Sequence, residues 1–339
     1  MVQAGGSPAN VRSRKYLSDG YPDSGHTRED LYRYLNMNDE QKKQLLHMFK
    51  SRVSFDHAMA RCTTFRTGAE ADAFMEVLEE EELCMLIPWV LKESLPYMVI
   101  GKGSNLLVKD GGFRGIVVRL GGKLSELGFD DSRKTRVLAG AGLSIKDFLL
   151  WCKVQGLAGM EFLAGIPGTL GGALFMNAGA FGEEICEHVG IIHMVTPTGL
   201  KKHLTKVELR FSYRKLEIET GDIITRICFQ MEKGSKKEIS QRMAGFLKQR
   251  RETQPLEFPS AGSVFKNPPG DFAGSLIEKA GLKGTRRGGA MISEKHANFI
   301  VNTGGANSKE ILSLIDLAQR KVKEDFGVKL ELEIQVVGE

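Results

Sequence analysis

The chain lacks most of the features that place a sequence quickly. It has no Cys-x-x-Cys pair: Cys62, Cys84, Cys152, Cys186 and Cys228 are odd in number and widely spaced. Neither a zinc site nor a disulfide framework fits that pattern, so no metal is expected and a reducing cytoplasm suits it best. The opening residues MVQAGGSPANVRSRKYL contain no apolar run, so no secretory signal is read there. A large excess of one sign of charge is absent too. The net +5 comes from 47 Lys and Arg against 42 Asp and Glu; it suits an anionic small ligand and is too weak to argue for nucleic acid. No internal repeat or low-complexity array appears. One stretch could pass for a membrane span, Gly156 to Gly182, whose only charge is Glu161. It holds eight glycines and Pro167, which a long helix tolerates poorly, so membrane insertion is not expected. It reads as a buried, glycine-rich loop system whose N–H groups need partners.

What is present is an ordinary globular balance, 42% hydrophobic and 26% charged, over 339 residues, enough for two or three domains. Residues 1 to about 38 are polar and read as a mobile leader. MNDEQKKQLLHMFK then predicts a short helix capped by Asn38. ADAFMEV, a helix over EEEELCMLIPWVLKE and the strand YMVI make a β-α-β unit, with Leu83, Leu86, Ile87, Val90 and Leu91 on one helix face and Pro88 inside. TRVLAGAGLSIKDFLLWCKVQGL predicts a strand and a helix running from Ser144 to Gly156. A charged helix, KKEISQRMAGFLKQRRET, follows a texture change near Gly234, taken as a domain boundary. The C-terminal part predicts a helix over DFAGSLIEKAG, a helix from Asn307 to Gly327 with a capping box, and an alternating strand from Val328 to Val336. The expected divisions are 1–56, a leader with a short helix, then 57–121, 122–233 and 234–339.

Gly101, Gly103, Ser104 and Asn105 crowd directly behind the strand YMVI. Two glycines there serve either a tight turn or a phosphate cradle with bare N–H groups aimed at an anion. A dinucleotide fingerprint is not met: Leu106 stands where the third glycine belongs, and the following run FRGIVVRL has strand character rather than helical.

Three stretches stand together: TTFRTGAEADAF (Thr63–Phe74), GKGSNLL (Gly101–Leu107) and GMEFLAGIPGTLGGALFMNAGAFG (Gly159–Gly182). With Tyr213–Arg214, AGSVFKNP (Ala261–Pro268), GGAMISEKHANFIVN (Gly288–Asn302) and LELEI (Leu330–Ile334), the set resembles the UDP-N-acetylenolpyruvoylglucosamine reductase family, flavoenzymes of peptidoglycan precursor synthesis. The resemblance runs from about Thr63 to the C-terminal residues. It implies an α+β chain with an FAD-binding fold of the vanillyl-alcohol-oxidase/PCMH type in two subdomains, then a C-terminal α+β substrate-binding domain. It also implies non-covalent FAD, NADPH as hydride donor and UDP-N-acetylglucosamine enolpyruvate as substrate. Hydride passes through flavin N5 to C3 of the vinyl ether, and a proton reaches C2.

Carried over position by position, the resemblance assigns the proton donor to Ser263, the charge-stabilising cation to Arg214 and the orienting or relaying carboxylate to Glu333. The FAD contacts it implies are Thr64, Gly101, Lys102, Gly103, Ser104, Asn105 and Leu106, then Gly165, Ile166, Pro167, Gly168, Thr169, Gly172 and Ala173, and Asn177, Ala178 and Gly179. Tyr213, Lys266 and Asn267 fall to the substrate. Two departures stand out. Leu216 occupies a position where members often carry Ser, and no tyrosine-bearing insertion separates Arg214 from Ser263, as in the shorter class of the family.

By composition alone these residues are ordinary. Ser263 is a turn serine, Arg214 a surface arginine, and Glu333 sits on the wet face of an alternating strand beside Glu331. His296 reads as part of a structural turn. Two other readings remain open. One is an oxidase of the same fold with covalently tethered flavin, against which no histidine falls in GKGSNLL or GIPGTLGG. The other is a non-enzymatic flavin or nucleotide binder.

Overall fold

The computed structural model describes residues 37–132 and 134–339; the expected leader up to residue 36 lies outside the described residues. The helix expected after it is present as Asp39–Phe49. Its capping box is complete, with the Asn38 side chain accepting from Gln41 N and the Gln41 side chain from Asn38 N. Each reciprocal bond satisfies an amide that a helix start otherwise leaves free.

The first sheet has the order Val53–Ala58, Glu70–Val77, Phe113–Leu120, Tyr97–Ile100. Its first pair is antiparallel and the other two are parallel. The helix Glu80–Lys92 carries the chain from the second of these strands to the edge strand Tyr97–Ile100, and Phe113–Leu120 later fills the gap. The β-α-β unit is therefore a crossover spaced by one strand. Leu83, Leu86, Ile87 and Val90 are buried as expected, whereas Leu91 is 39% exposed and lies off the apolar face.

The second sheet is antiparallel throughout: Lys201–Thr205, Val189–Val195, Ile223–Gln230, Arg136–Gly140, Leu127–Phe129. One continuous core joins it to the first sheet, and the helix Glu80–Lys92 contributes to it. Polar contacts tie the helix start to the second sheet, where Thr225 Oγ1 donates to Glu80 Oε1 at 2.6 Å and Lys201 bridges Glu80 and Glu81.

The helix Lys236–Thr253 was expected to open the C-terminal part. It packs instead on the segment before it: Met243, Phe246 and Leu247 lie against the first core, and Arg250 Nε donates to Ala164 O at 2.8 Å. Its apolar positions face backward along the chain.

A second core is built on the helix Ser308–Phe326, whose Ile311, Leu314, Ile315, Ala318 and Val322 are buried at helical spacing. Its cap is the expected Asn307–Glu310 box, and Gly327 ends it in the left-handed conformation at φ 71°. Asn307→Ala should lower stability by about 1 kcal/mol with unchanged kinetic constants, checked by thermal unfolding beside turnover.

The alternating run 328–336 does not form the expected strand. Only Gln335–Val337 is strand, parallel to Leu106–Val108, and Leu332 makes an isolated bridge to Phe265. All five apolar residues of the run, Val328, Leu330, Leu332, Ile334 and Val336, pack on the second core, while its end pairs beside the glycine loop. Alternation here reflects one core beneath a largely unpaired segment rather than a strand in a sheet.

Candidate active site

The loop Gly101–Asn105 leaves the carboxyl end of a parallel strand, the usual ligand-binding edge of such sheets. Gly103 has φ +59°, and a Cβ there would lie 2.1 Å from Cys62 O. A Cβ on Gly101 would lie 2.4 Å from Thr169 Oγ1. The two glycines thus let three segments close on one another: 62–64, 101–105 and 165–173. Among the described residues, the N–H groups of Lys102, Gly103, Ser104 and Asn105 donate to no protein acceptor. Gly103 is buried. Buried unpaired amides are costly, and this run of donors fits an anionic group such as a pyrophosphate. Across the loop, a Cβ on Gly168 would stand 3.6 Å from Ser104 Oγ, and one on Gly172 would meet only Thr169 Oγ1, at 3.5 Å. Gly165 and Pro167 are exposed, with Ile166 half-buried between them.

Several expected cofactor contacts already have protein partners. The Thr64 hydroxyl donates to Gly103 O at 3.4 Å beside its own N–H at 3.2 Å, so its proton is committed to closing the loop. One N–H of the Asn105 side chain donates to Glu333 O at 3.0 Å. Thr169 caps the helix Leu170–Phe175 by accepting from Gly172 N, and Ala173 is buried in that helix. Lys102 is exposed, and Leu106 begins the short strand paired with Gln335.

Asn177, Ala178 and Gly179, expected at the cofactor, also have protein partners, and Gly179 touches Arg214. Gly179 O accepts from Arg214 Nη2 at 3.0 Å, and Asn177 Nδ2 donates to Glu184 Oε2 at 2.8 Å and to Ser212 O at 3.3 Å. Ala178 fixes the turn through its N–H to Ala173 O and its carbonyl to Ile185 N.

Arg214 occupies a two-residue hairpin tip between Arg210–Ser212 and Lys215–Glu217. Its φ is +58°, a conformation that costs a non-glycine residue about 1 kcal/mol and recurs at functional sites. Its Nε lies 3.4 Å from Glu333 Oε1 and its Nη1 4.0 Å from Glu184 Oε1. The exposed Tyr213 ring lies beneath the guanidinium at 4.8 Å. Leu216, in place of the usual Ser, is buried in the core opposite Phe211.

Glu333 is not on a wet face. Its side chain is 20% exposed, and burial pushes its carboxyl above the usual range although Arg214 and Lys266 pull it down. Glu331, two residues earlier, is exposed. The N–H of Glu333 donates to Val264 O at 2.8 Å, which brings the carboxylate-bearing segment against Ser263. Ser263 lines a cavity of about 660 Å³ with Asn267, Phe272, Lys295, His296 and Asn298. Asn267 Oδ1 accepts from Ala273 N, and Lys266 N donates to Glu331 O. His296 is held in place: its Nδ1 accepts from Asn298 N at 3.2 Å, its ring meets Phe299 edge-on, and burial lowers its pKa.

With this geometry in view, comparison with known proteins identifies the chain. A family profile described as "UDP-N-acetylenolpyruvoylglucosamine reductase, C-terminal domain" matches residues 254–337, and one described as "FAD binding domain" matches 71–205. The reductase of Caldanaerobacter subterraneus subsp. tengcongensis is 42% identical over 291 residues, covering 86% of this chain and 95% of that protein. The chain belongs to the UDP-N-acetylenolpyruvoylglucosamine reductase family. The family reductase of Anoxybacillus flavithermus is also 42% identical, over 88% of this chain and 98% of its own length. The solved reductase of Thermus caldophilus superposes with a TM-score of 0.72 at 37% identity, covering 84% of this chain and 98% of that one. A p-cresol methylhydroxylase structure, 9% identical, shares the fold with a TM-score of 0.53 over 89% of each chain. The α+β architecture with a PCMH-type FAD fold is thus the observed one. The C-terminal profile begins at residue 254, directly after the helix Lys236–Thr253.

Sequence reasoning missed two residues. Glu184 joins Asn177 to Arg214, and nothing in FGEEICEH distinguishes it from Glu183. Arg250 is buried, with donors on the carbonyls of Ala164 and Phe162; one of three arginines in a charged helix gives no sign of burial. Among the described residues no group of three or more His, Cys, Asp and Glu could hold a metal, and no helix is long and apolar enough to cross a membrane.

Proposed function

We propose that this chain is a cytoplasmic, NADPH-dependent flavoenzyme that reduces UDP-N-acetylglucosamine enolpyruvate to UDP-N-acetylmuramate for peptidoglycan synthesis. The observation that carries the reading is one short segment. Residues 333–335 bond Val264, next to Ser263, through Glu333 N, and bond Asn105 of the glycine loop through Glu333 O and Gln335 N. Proton donor, carboxylate and flavin cradle are thereby held in one frame.

FAD, once bound, would supply the hydride chemistry between NADPH and C3 of the vinyl ether. The N–H groups of 102–105 and the Ser104 hydroxyl would hold its pyrophosphate, with the 165–173 segment packed across the same loop. Ser263 gives its proton to C2. A serine hydroxyl is a weak acid, so charge developing on the substrate carboxylate must be met as the proton leaves. The Arg214 guanidinium meets it. Glu333, whose burial favours the protonated form, returns a proton to Ser263. Tyr213, Lys266 and Asn267 bind the sugar nucleotide.

The test is direct: purified holoenzyme, NADPH and the enolpyruvyl substrate, with absorbance followed at the NADPH band. Substrate-dependent oxidation is expected, and its absence defeats the reading. A second measurement separates the oxidase of the same fold. Acid precipitation should release the flavin into the supernatant. Cys62, whose carbonyl lies beside Gly103, has its thiol engaged with His57 at 3.3 Å. Flavin retained in the pellet contradicts the assignment.

A further inference from the structure

Arg214 is suspended rather than locked. Its one bond of ordinary hydrogen-bond length is to Gly179 O at 3.0 Å. The two carboxylates stand further off, Glu333 at 3.4 Å from Nε and Glu184 at 4.0 Å from Nη1. Elsewhere in the molecule Arg114 meets Asp72 at 2.8 Å and Arg52 meets Glu82 at 2.6 Å, so full closure is available to such pairs. Glu184 is itself held. Asn177, 1% exposed with φ +39°, donates through Nδ2 both to Glu184 Oε2 and to Ser212 O, the residue that opens the Tyr213–Arg214 tip. Asn177 Oδ1 is buried with no partner, so the side chain is oriented by the donor end alone. A Cβ on Gly179 would lie 2.9 Å from Glu184 Cγ and 3.0 Å from Arg214 Nη1. The backbone is bare where carboxylate and guanidinium meet.

We propose that Glu184, anchored by Asn177, is a positioning residue that draws Arg214 away from Glu333 and so leaves Glu333 able to carry the proton that Ser263 needs. This rests on the reductase reading and on the roles given there to Arg214, Ser263 and Glu333. The charged groups facing Glu333 are Arg214 from the hairpin and Lys266 from the segment after Ser263, and both favour its ionised form. Glu184 faces Arg214, with the Asn177 amide and the Cys186 thiol on its other oxygen. Removing the Glu184 charge leaves Arg214 with a single carboxylate partner. The guanidinium then closes on Glu333, which holds its proton less well.

The experiment is the pH dependence of flavin reoxidation by the enolpyruvyl substrate, in stopped flow on pre-reduced holoenzyme. In the unaltered protein the rate falls as pH rises through the Glu333 pKa. Glu184→Gln keeps the shape and an acceptor for Asn177 while removing the charge. Its falling limb should move to lower pH by about one unit, a tenfold slower rate at a fixed pH on that limb. Glu184→Asp keeps the charge, so its limb should stay with the unaltered enzyme even if the plateau drops. If Glu184→Gln fails to load flavin, Asn177→Gly replaces it: glycine accepts the backbone, the anchor is lost, and the limb should move the same way. A uniform loss of rate with an unmoved limb means that Glu184 only holds the fold, and it overturns the proposal. Absence of any reoxidation in the unaltered enzyme instead sinks the reductase reading beneath it.

Discussion

Gly103→Ala should give colourless protein. The added methyl would sit 2.1 Å from Cys62 O, a backbone atom that cannot swing aside, on a residue whose φ of +59° already disfavours any side chain. The 62–64 segment must then move away, and with it the bonds from Thr64 to Gly103 O. The four free amides of 102–105 lose their common orientation, and a pyrophosphate needs several at once. Gly103→Asp adds charge repulsion to the same clash. The informative contrast is Gly172→Ala. A methyl there meets only Thr169 Oγ1 at 3.5 Å within the protein, and alanine favours the helix Leu170–Phe175 by about 1 kcal/mol over glycine. That variant should be at least as heat-stable without flavin, and any loss of flavin affinity reports cofactor contact alone. Flavin content per chain and apo-protein melting, measured for both, decide the matter. A yellow Gly103→Ala protein at full stoichiometry would refute the cradle.

Ser263→Ala should split the catalytic cycle. The serine is proposed to give a proton to C2 only after hydride has left the flavin, and it has no task when NADPH delivers hydride. The substitution removes one oxygen from the wall of the 660 Å³ cavity and leaves the bonds of Val264 with Asn298 and Glu333 untouched, because they are made by the backbone. Flavin bleaching by NADPH should therefore keep its rate. Reoxidation by the enolpyruvyl substrate should slow by at least ~10²-fold, the usual scale for a positioned acid. Equal slowing of both halves makes Ser263 a shaper of the nicotinamide pocket. No slowing of either leaves water or Glu333 as the donor and ends the serine assignment.

Local signals in this chain read well because their physics is local. Asn38 with Gln41, Asn307 with Glu310, and Gly327 place helix ends within a turn, since each cap is a bond between neighbours in sequence. Neighbourhoods across the fold read badly. The charged helix Lys236–Thr253 displays Met243, Phe246 and Leu247 at correct helical spacing, yet spacing does not say which core receives them. The alternation from Val328 to Val336 is real and one core receives all its apolar residues, yet only its end has a strand partner. The proposed catalytic carboxylate can be chosen between Glu331 and Glu333 only through family resemblance; the structure adds a physical difference, one exposed and one largely buried beside Arg214. The bond from Asn177 to Glu184 is not legible from sequence, because no spacing rule singles out Glu184.

The pairing of Gln335–Val337 with Leu106–Val108 also sets an order of assembly. Strands of the first sheet leave the ribosome early, and a domain of this kind begins to fold as it emerges. The glycine loop, however, lacks its neighbouring strand until almost every described residue has been synthesised. Residues 335–337 then supply the neighbouring strand of the loop and bring Glu333 in the same movement. On the reading proposed above, cofactor loading follows synthesis of this segment rather than guiding the folding of the first sheet.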